Sequence, residues 1–203
     1  MQAKNSLLGV VIAGGRSLRF GGEKAVALFA GQPLLLWAAK RLSCACDEVA
    51  VNARSGTAAE ALALAEGFTV IHDVAGDPDG PLAGVKAALQ WAQQRHALQL
   101  AVSPCDVPLA PRDLYTRLHA AAGTGAAMAQ TSEGRQPQCA IWPVSALPAL
   151  CAALAGGEHP ATWRMLEQVG AVKVPFEPPG SFANLNTRED LARLESQFLR
   201  ERP

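Results

Sequence analysis

Short apolar runs alternate with helix-forming runs along most of this chain, and that alternation admits few folds. Residues 9–13, 49–52, 68–71 and 98–102 read as strands, and residues 33–42, 58–65 and 82–95 as helices. The run at 98–102 is apolar throughout, as a strand covered on both faces must be. The βαβαβ rhythm predicts an α/β fold whose mostly parallel sheet carries helices on both sides. In such a sheet a ligand lies at the carboxyl ends of the strands.

The later part is less regular. Residues 126–130 and 138–142 are expected to pair as strands, 144–154 and 161–169 to be helical, and 171–175 to form a strand. An amphipathic helix over 187–199, with Thr187 as its cap, closes the chain. No repeat or long linker divides the 203 residues, so one domain is expected, with the N-terminal half as binding end and the C-terminal half as wall.

The 18 basic and 18 acidic residues cancel, which leaves no net field for nucleic acid or an acidic membrane surface. No stretch reaches the roughly 20 apolar residues of a spanning helix, so a cytoplasmic protein is expected. Five cysteines without C-x-x-C spacing argue against both a disulfide framework and a thiolate zinc site. Cys44 and Cys46 are expected near a helix end, and Cys139 and Cys151 in the core. A bound metal would then have oxygen ligands.

Chemistry concentrates where the first strand ends, in GVVIAGGRSLRFGGEK from Gly9 to Lys24. Gly14, Gly15, Gly21 and Gly22 let backbone turn sharply or approach a ligand, while Arg16, Arg19 and Lys24 supply positive charge. This is a cradle for a polyphosphate. It is not a P-loop, because Glu23 separates Gly22 from Lys24 and Ala25 follows, and it lacks the G-x-G-x-x-G dinucleotide pattern. The competing reading is a solvated Gly and Arg turn.

Asp106 follows an apolar strand between Pro104 and Pro108, at the rim where the glycine loop emerges. Its carboxylate suits a magnesium ion bridging phosphates, or else caps a turn before the helix at Leu114. Asn52, in VNAR, either contacts a base or ribose or caps a loop. Asp73, Asp77 and Asp79 lack the terminal Glu of a calcium loop and read as turn residues, with Asp73 at a strand end. GPLAG, residues 80–84, places small residues where a helix begins, suited to close approach by a ligand. Trp142 and Trp163 could stack on a ring, but apolar surroundings favour the core.

IAGGRSLRFGGEK, VNAR, HD ahead of GPLAG, SPCDVP and the late FANLNT stand in an order that resembles the bacterial molybdenum cofactor guanylyltransferases over most of the chain. The resemblance implies a three-layer α/β/α Rossmann-like nucleotidyltransferase fold and transfer of GMP from GTP to molybdenum-molybdopterin. It implies that Ile12, Ala13, Gly14, Gly15, Lys24, Asn52, Asp73 and Asp106 bind GTP, and that Asp106 also holds Mg2+. Lys24, Arg19 and Asp106 would carry catalysis, while Arg19, Asn184 and Asn186 would meet the pterin phosphate or a second metal position. A molybdopterin-insertion protein and recipient apo-molybdoenzymes are the implied partners.

Two positions depart from the family pattern: Ile12 stands where Leu is usual, and Glu23 where Asp is common. The alternatives are a molybdopterin cytidylyltransferase, a sugar-phosphate nucleotidyltransferase, or a noncatalytic cofactor-binding and delivery module. Gly14-Gly15 and the Cys before Asp106 resemble the guanylyl branch more than the cytidylyl one.

Overall fold

A computed structural model describes residues 6–15, 19–157 and 159–200. The strand β1 (Leu7–Ile12) runs into the glycine loop, and a 3-10 turn (Lys24–Val26) and a short hairpin, β2 (Leu28–Phe29) with β3 (Gln32–Pro33), lead to α1 (Leu34–Leu42). Then come β4 (Glu48–Asn52), α2 (Ala58–Ala65), β5 (Thr69–Ile71), α3 (Pro81–Gln94) and β6 (Gln99–Pro104). The second half contains α4 (Leu114–Ala122), β7 (Ala127–Thr131), β8 (Gly134–Pro143), α5 (Leu147–Ala155), α6 (Thr162–Gln168), β9 (Val172–Pro175) and α7 (Arg188–Arg200).

The main sheet has seven strands in the order β5-β4-β1-β6-β8-β7-β9. Pairing is parallel from β5 through β6 and between β7 and β9, whereas β8 runs antiparallel between β6 and β7. The chain builds outward from β1 to β5, then crosses back through α3 to place β6 on the other side of β1. That reversal opens a crevice at the carboxyl ends of β1 and β6, where doubly wound sheets hold their ligands.

Alternation along β1 explains the layers. Leu7 and Val11 enter a core with α1, α2 and α4, while Leu8 and Val10 enter a second core with α3, α5 and α6. Trp142 is fully buried in the second core, so it is a packing residue. Trp163 is half-buried, with the Arg135 and Arg164 guanidiniums 4.8 and 5.2 Å from its ring centre. A smaller third core joins Phe29 and Leu34 to Leu194 of α7, and fastens the C-terminal helix beside the glycine loop.

The sequence-derived elements are all present, with ends shifted by a few residues. The hairpin β2–β3 was not among the expected elements: its turn uses Ala30 at φ +47° and Gly31 at φ +79°. Alanine is an uncommon residue in that left-handed region, so the turn carries a weak local signal. Residues 144–154 divide into a 3-10 turn (Val144–Ala146) and α5. All five cysteines are free: Cys44 and Cys46 lie just past the end of α1, Cys139 is buried, and Cys151 is partly buried against the second core.

Candidate active site

A cleft of about 910 Å³ lies over the carboxyl ends of β5, β4, β1 and β6, a volume suited to a nucleotide-sized ligand. Ile12, Ala13, Gly14 and Gly15 line it from the end of β1, and Arg19 enters from the glycine loop. Gly21 takes φ +73°, a turn that a side chain would strain. Arg16 falls outside the described residues.

Lys24 is the convergence point. It is 9% exposed, and its Nζ donates to Asp106 Oδ2 at 2.8 Å and to Asn186 Oδ1 at 3.1 Å. Removing an ammonium from water is costly unless charge and hydrogen bonds replace the lost hydration, and these two oxygens do so. A phosphate entering the cleft meets an ammonium that is already oriented.

Asp106 is held by its backbone as well as its side chain. It follows β6, its carbonyl accepts from the Leu185 amide at 2.8 Å, and the loop beyond it is gripped by Arg41. Arg41, on α1, is buried; its Nε donates to Ala110 O at 2.9 Å and its Nη2 to Pro108 O at 2.8 Å. Burial lowers its pKa from the ordinary arginine value, opposed by the nearby Tyr115, Cys139 and Cys44. Two carbonyls that face the protein interior thus find a forked donor.

Asn186 reaches Lys24 from just before α7. Asp190 fixes that approach: its Oδ2 accepts from the Asn186 amide at 3.1 Å and the Thr187 amide at 3.0 Å, while Thr187 Oγ1 accepts from the Asp190 amide at 3.1 Å. This is a capping box, as the expected Thr187 cap requires. Hydrogen bonds donated by the backbone N–H of Asn186 and then of Thr187 lower the Asp190 pKa below the ordinary aspartate value. Asn184 is exposed and does not line the cleft.

At the opposite end, Asn52 is 2% exposed, and its Nδ2 donates to Ile71 O at 3.2 Å and Asp73 Oδ1 at 2.8 Å. Its Oδ1 lies against Gly84, where an added Cβ would collide with it. Asn52 therefore ties β4 to the end of β5 and orients the exposed Asp73, which lines the cleft. Asp77 turns away to pair with Lys86 at 2.6 Å.

Glu23 lines the cleft and anchors the glycine loop to α2. Its carboxylate accepts from the Ala58 and Ala59 amides at 3.0 and 2.9 Å, satisfying the first turn of α2 and complementing its dipole. On the other side of the cleft, His159 Nε2 accepts from the Leu82 amide at 3.0 Å. It covers Gly80, where a Cβ would strike the imidazole.

The sequence reading missed Arg54 and Thr57 in the cleft lining and Arg41 behind it, and took Asp79 for a turn residue only; Gly80 and Pro81, from the GPLAG segment it had singled out, also line the cleft. Arg54 stood in the VNAR step already singled out, while Arg41 follows Leu34 and Ala38 at helical spacing on a buried stripe. Asp106 and Asn186 offer oxygen donors to a cation. Among the described residues no group of three His, Cys, Asp or Glu side chains forms a self-contained metal site. Burial, then the Asp106 charge, push the Cys105 thiol up to about 12, so it is no nucleophile at neutral pH.

Residues 9–172 match the MobA-like NTP transferase domain, which spans most of the sheet and the cleft. The chain belongs to that family. It is 39% identical to the molybdenum cofactor guanylyltransferase of Cereibacter sphaeroides over 94% of this chain and 96% of that one. It is 36% identical to the enzyme of the same name from Rhodobacter capsulatus, with 97% and 99% covered. The crystal structure of molybdopterin-guanine dinucleotide biosynthesis protein A from Archaeoglobus fulgidus is similar at a TM-score of 0.76 and 25% identity, with 95% of this chain and 99% of that chain covered.

Proposed function

We propose that this family member transfers GMP from GTP to molybdenum-molybdopterin, giving the molybdopterin guanine dinucleotide cofactor and pyrophosphate. The observation that carries the reading is the convergence of Lys24, Asp106 and Asn186 beside the glycine loop, in a chain 39% identical to a molybdenum cofactor guanylyltransferase. A terminal phosphate oxygen of the pterin attacks the α-phosphorus of GTP. As that bond forms, the α–β bridging P–O bond breaks and its electrons leave with pyrophosphate. The acceptor phosphate is already anionic near neutral pH, so no protein nucleophile is needed, and positioning with charge neutralisation supplies the rate.

The residues divide by place in the cleft. Ile12, Ala13, Gly14 and Gly15 receive the nucleotide along backbone, Asp73, oriented by Asn52, holds its nucleoside end, and Lys24 with Arg19 neutralises phosphate. Asn186 faces the acceptor phosphate, and Asn184 precedes it in the same segment. Asp106 and Asn186 supply hard oxygen donors that fit Mg2+ arriving with nucleotide phosphates, since that ion retains water and needs few protein ligands. Bound there, Mg2+ would spread the charge developing on the pyrophosphate oxygens.

Among the described residues no helix is long and apolar enough to cross a membrane. A cytoplasmic location, and handover to a molybdopterin-insertion protein and apo-molybdoenzymes, belong to the same proposal. The test is to incubate purified protein with Mg2+, molybdenum-molybdopterin and each labelled nucleoside triphosphate in turn. Dinucleotide product from GTP is expected; product from CTP and none from GTP would refute the reading.

A further inference from the structure

Arg54 lies just past β4, in the cleft but outside the phosphate-binding cluster. Its side-chain stem lies 4.0 Å from where a Cβ on Gly14 would be, so it rises beside the end of β1. Its backbone is held: the Arg54 carbonyl accepts from Thr57 Oγ1 at 2.6 Å, at the cap of α2. The residue is exposed, and among the described residues no carboxylate stands within ion-pair distance of its guanidinium. A tethered guanidinium at the mouth of a ligand cleft, without an ion-pair partner among the described residues, is a donor awaiting an acceptor.

The strand order indicates which part of a nucleotide meets it. Lys24 and Asp106 mark the phosphate end, at β6, whereas Arg54 and Asp73 mark the far end, at β4 and β5. Neighbouring strands are about 4.8 Å apart, so the span from β6 to β5 is about 14 Å, comparable to an extended nucleoside triphosphate. With phosphates on Lys24, the base lies toward Arg54. Guanine presents two acceptors, O6 and N7, on one edge, and the planar fork of arginine matches them; cytosine presents an amino donor there.

Resting on the proposed guanylyl transfer, we infer that Arg54 is a specificity-determining residue that donates to O6 and N7 of the guanine base. The fork favours guanine and meets the cytosine amino group donor to donor. Asp73, oriented by Asn52, forms the opposite wall of the same end of the cleft. No protein group need move far, because Arg54 already projects into the cleft.

The experiment is titration calorimetry of the full chain with Mg2+ and GTP, CTP or 7-deaza-GTP, which lacks the N7 acceptor. The wild-type protein is expected to bind GTP about fivefold or more tightly than 7-deaza-GTP. Arg54→Met is expected to weaken GTP about tenfold, leave CTP unchanged and erase the difference between GTP and its deaza analogue. Thermal unfolding of the variant checks that the fold is intact. Equal weakening of GTP and CTP would move the contact to phosphate and overturn the inference, as would a preference for GTP over 7-deaza-GTP that survives in Arg54→Met. A wild-type protein that neither prefers GTP nor makes the guanine dinucleotide would instead refute the proposed function itself.

Discussion

At the scale of single residues, Lys24 shows how a buried charge becomes a tool. Asp106 and Asn186 hold its ammonium in place before substrate arrives, so little reorganisation remains at the moment of transfer. Lys24→Met is expected to lower kcat about 100-fold or more, the usual scale for removing a preorganised charge-stabilising donor, as measured by pyrophosphate release. The cysteines give a second test. Burial pushes the thiols of Cys46, Cys105 and Cys139 up to about 12, whereas Cys44 is exposed. Iodoacetamide at pH 8 should therefore label Cys44 ahead of those three in the folded protein, with peptide mass mapping as the readout.

Among elements, α7 matters most to the site although it lies last in the chain. Its capping box pins Asn186, its Leu194 packs into the third core, and Glu195 Oε1 accepts from the Ala30 amide at 2.7 Å. Asp190 has a lowered pKa when folded, so its contribution to stability is complete above the ordinary aspartate value of 3.8 and is lost as pH falls through the lower folded value. Asp190→Asn is expected to flatten the acid side of a Tm against pH curve. The capping signal was legible in the sequence, since Thr187 and Asp190 are three residues apart. The β2–β3 hairpin was not, because the bond that supports its Ala30 turn comes from a helix 165 residues away.

For the molecule as a whole, the two ends of the active cluster are linked through the core. Arg41 of α1 grips the loop after Asp106, and the Leu185 amide grips Asp106 itself, so α1, β6 and the approach to α7 form one support. Arg41→Met leaves the Pro108 and Ala110 carbonyls without that donor; a loss of about 2–4 kcal/mol in a urea unfolding titration is expected. Turnover should fall as well, since the Asp106 loop loses its brace.

By itself the sequence determined the alternating strands and helices, the glycine loop and the caps, because periodicity and turn chemistry act within a few residues. It also carried the motifs of the family. The tertiary structure decided which groups meet: Lys24 finds Asp106 across 82 residues and Asn186 across 162. It committed the Asn52 amide donors to Ile71 and Asp73, recruited Arg41 as a buried brace, and brought Arg54 beside Gly14. Those outcomes depend on the crossover that places β6 next to β1, and no local pattern encodes the distance between side chains on strands joined only through the sheet.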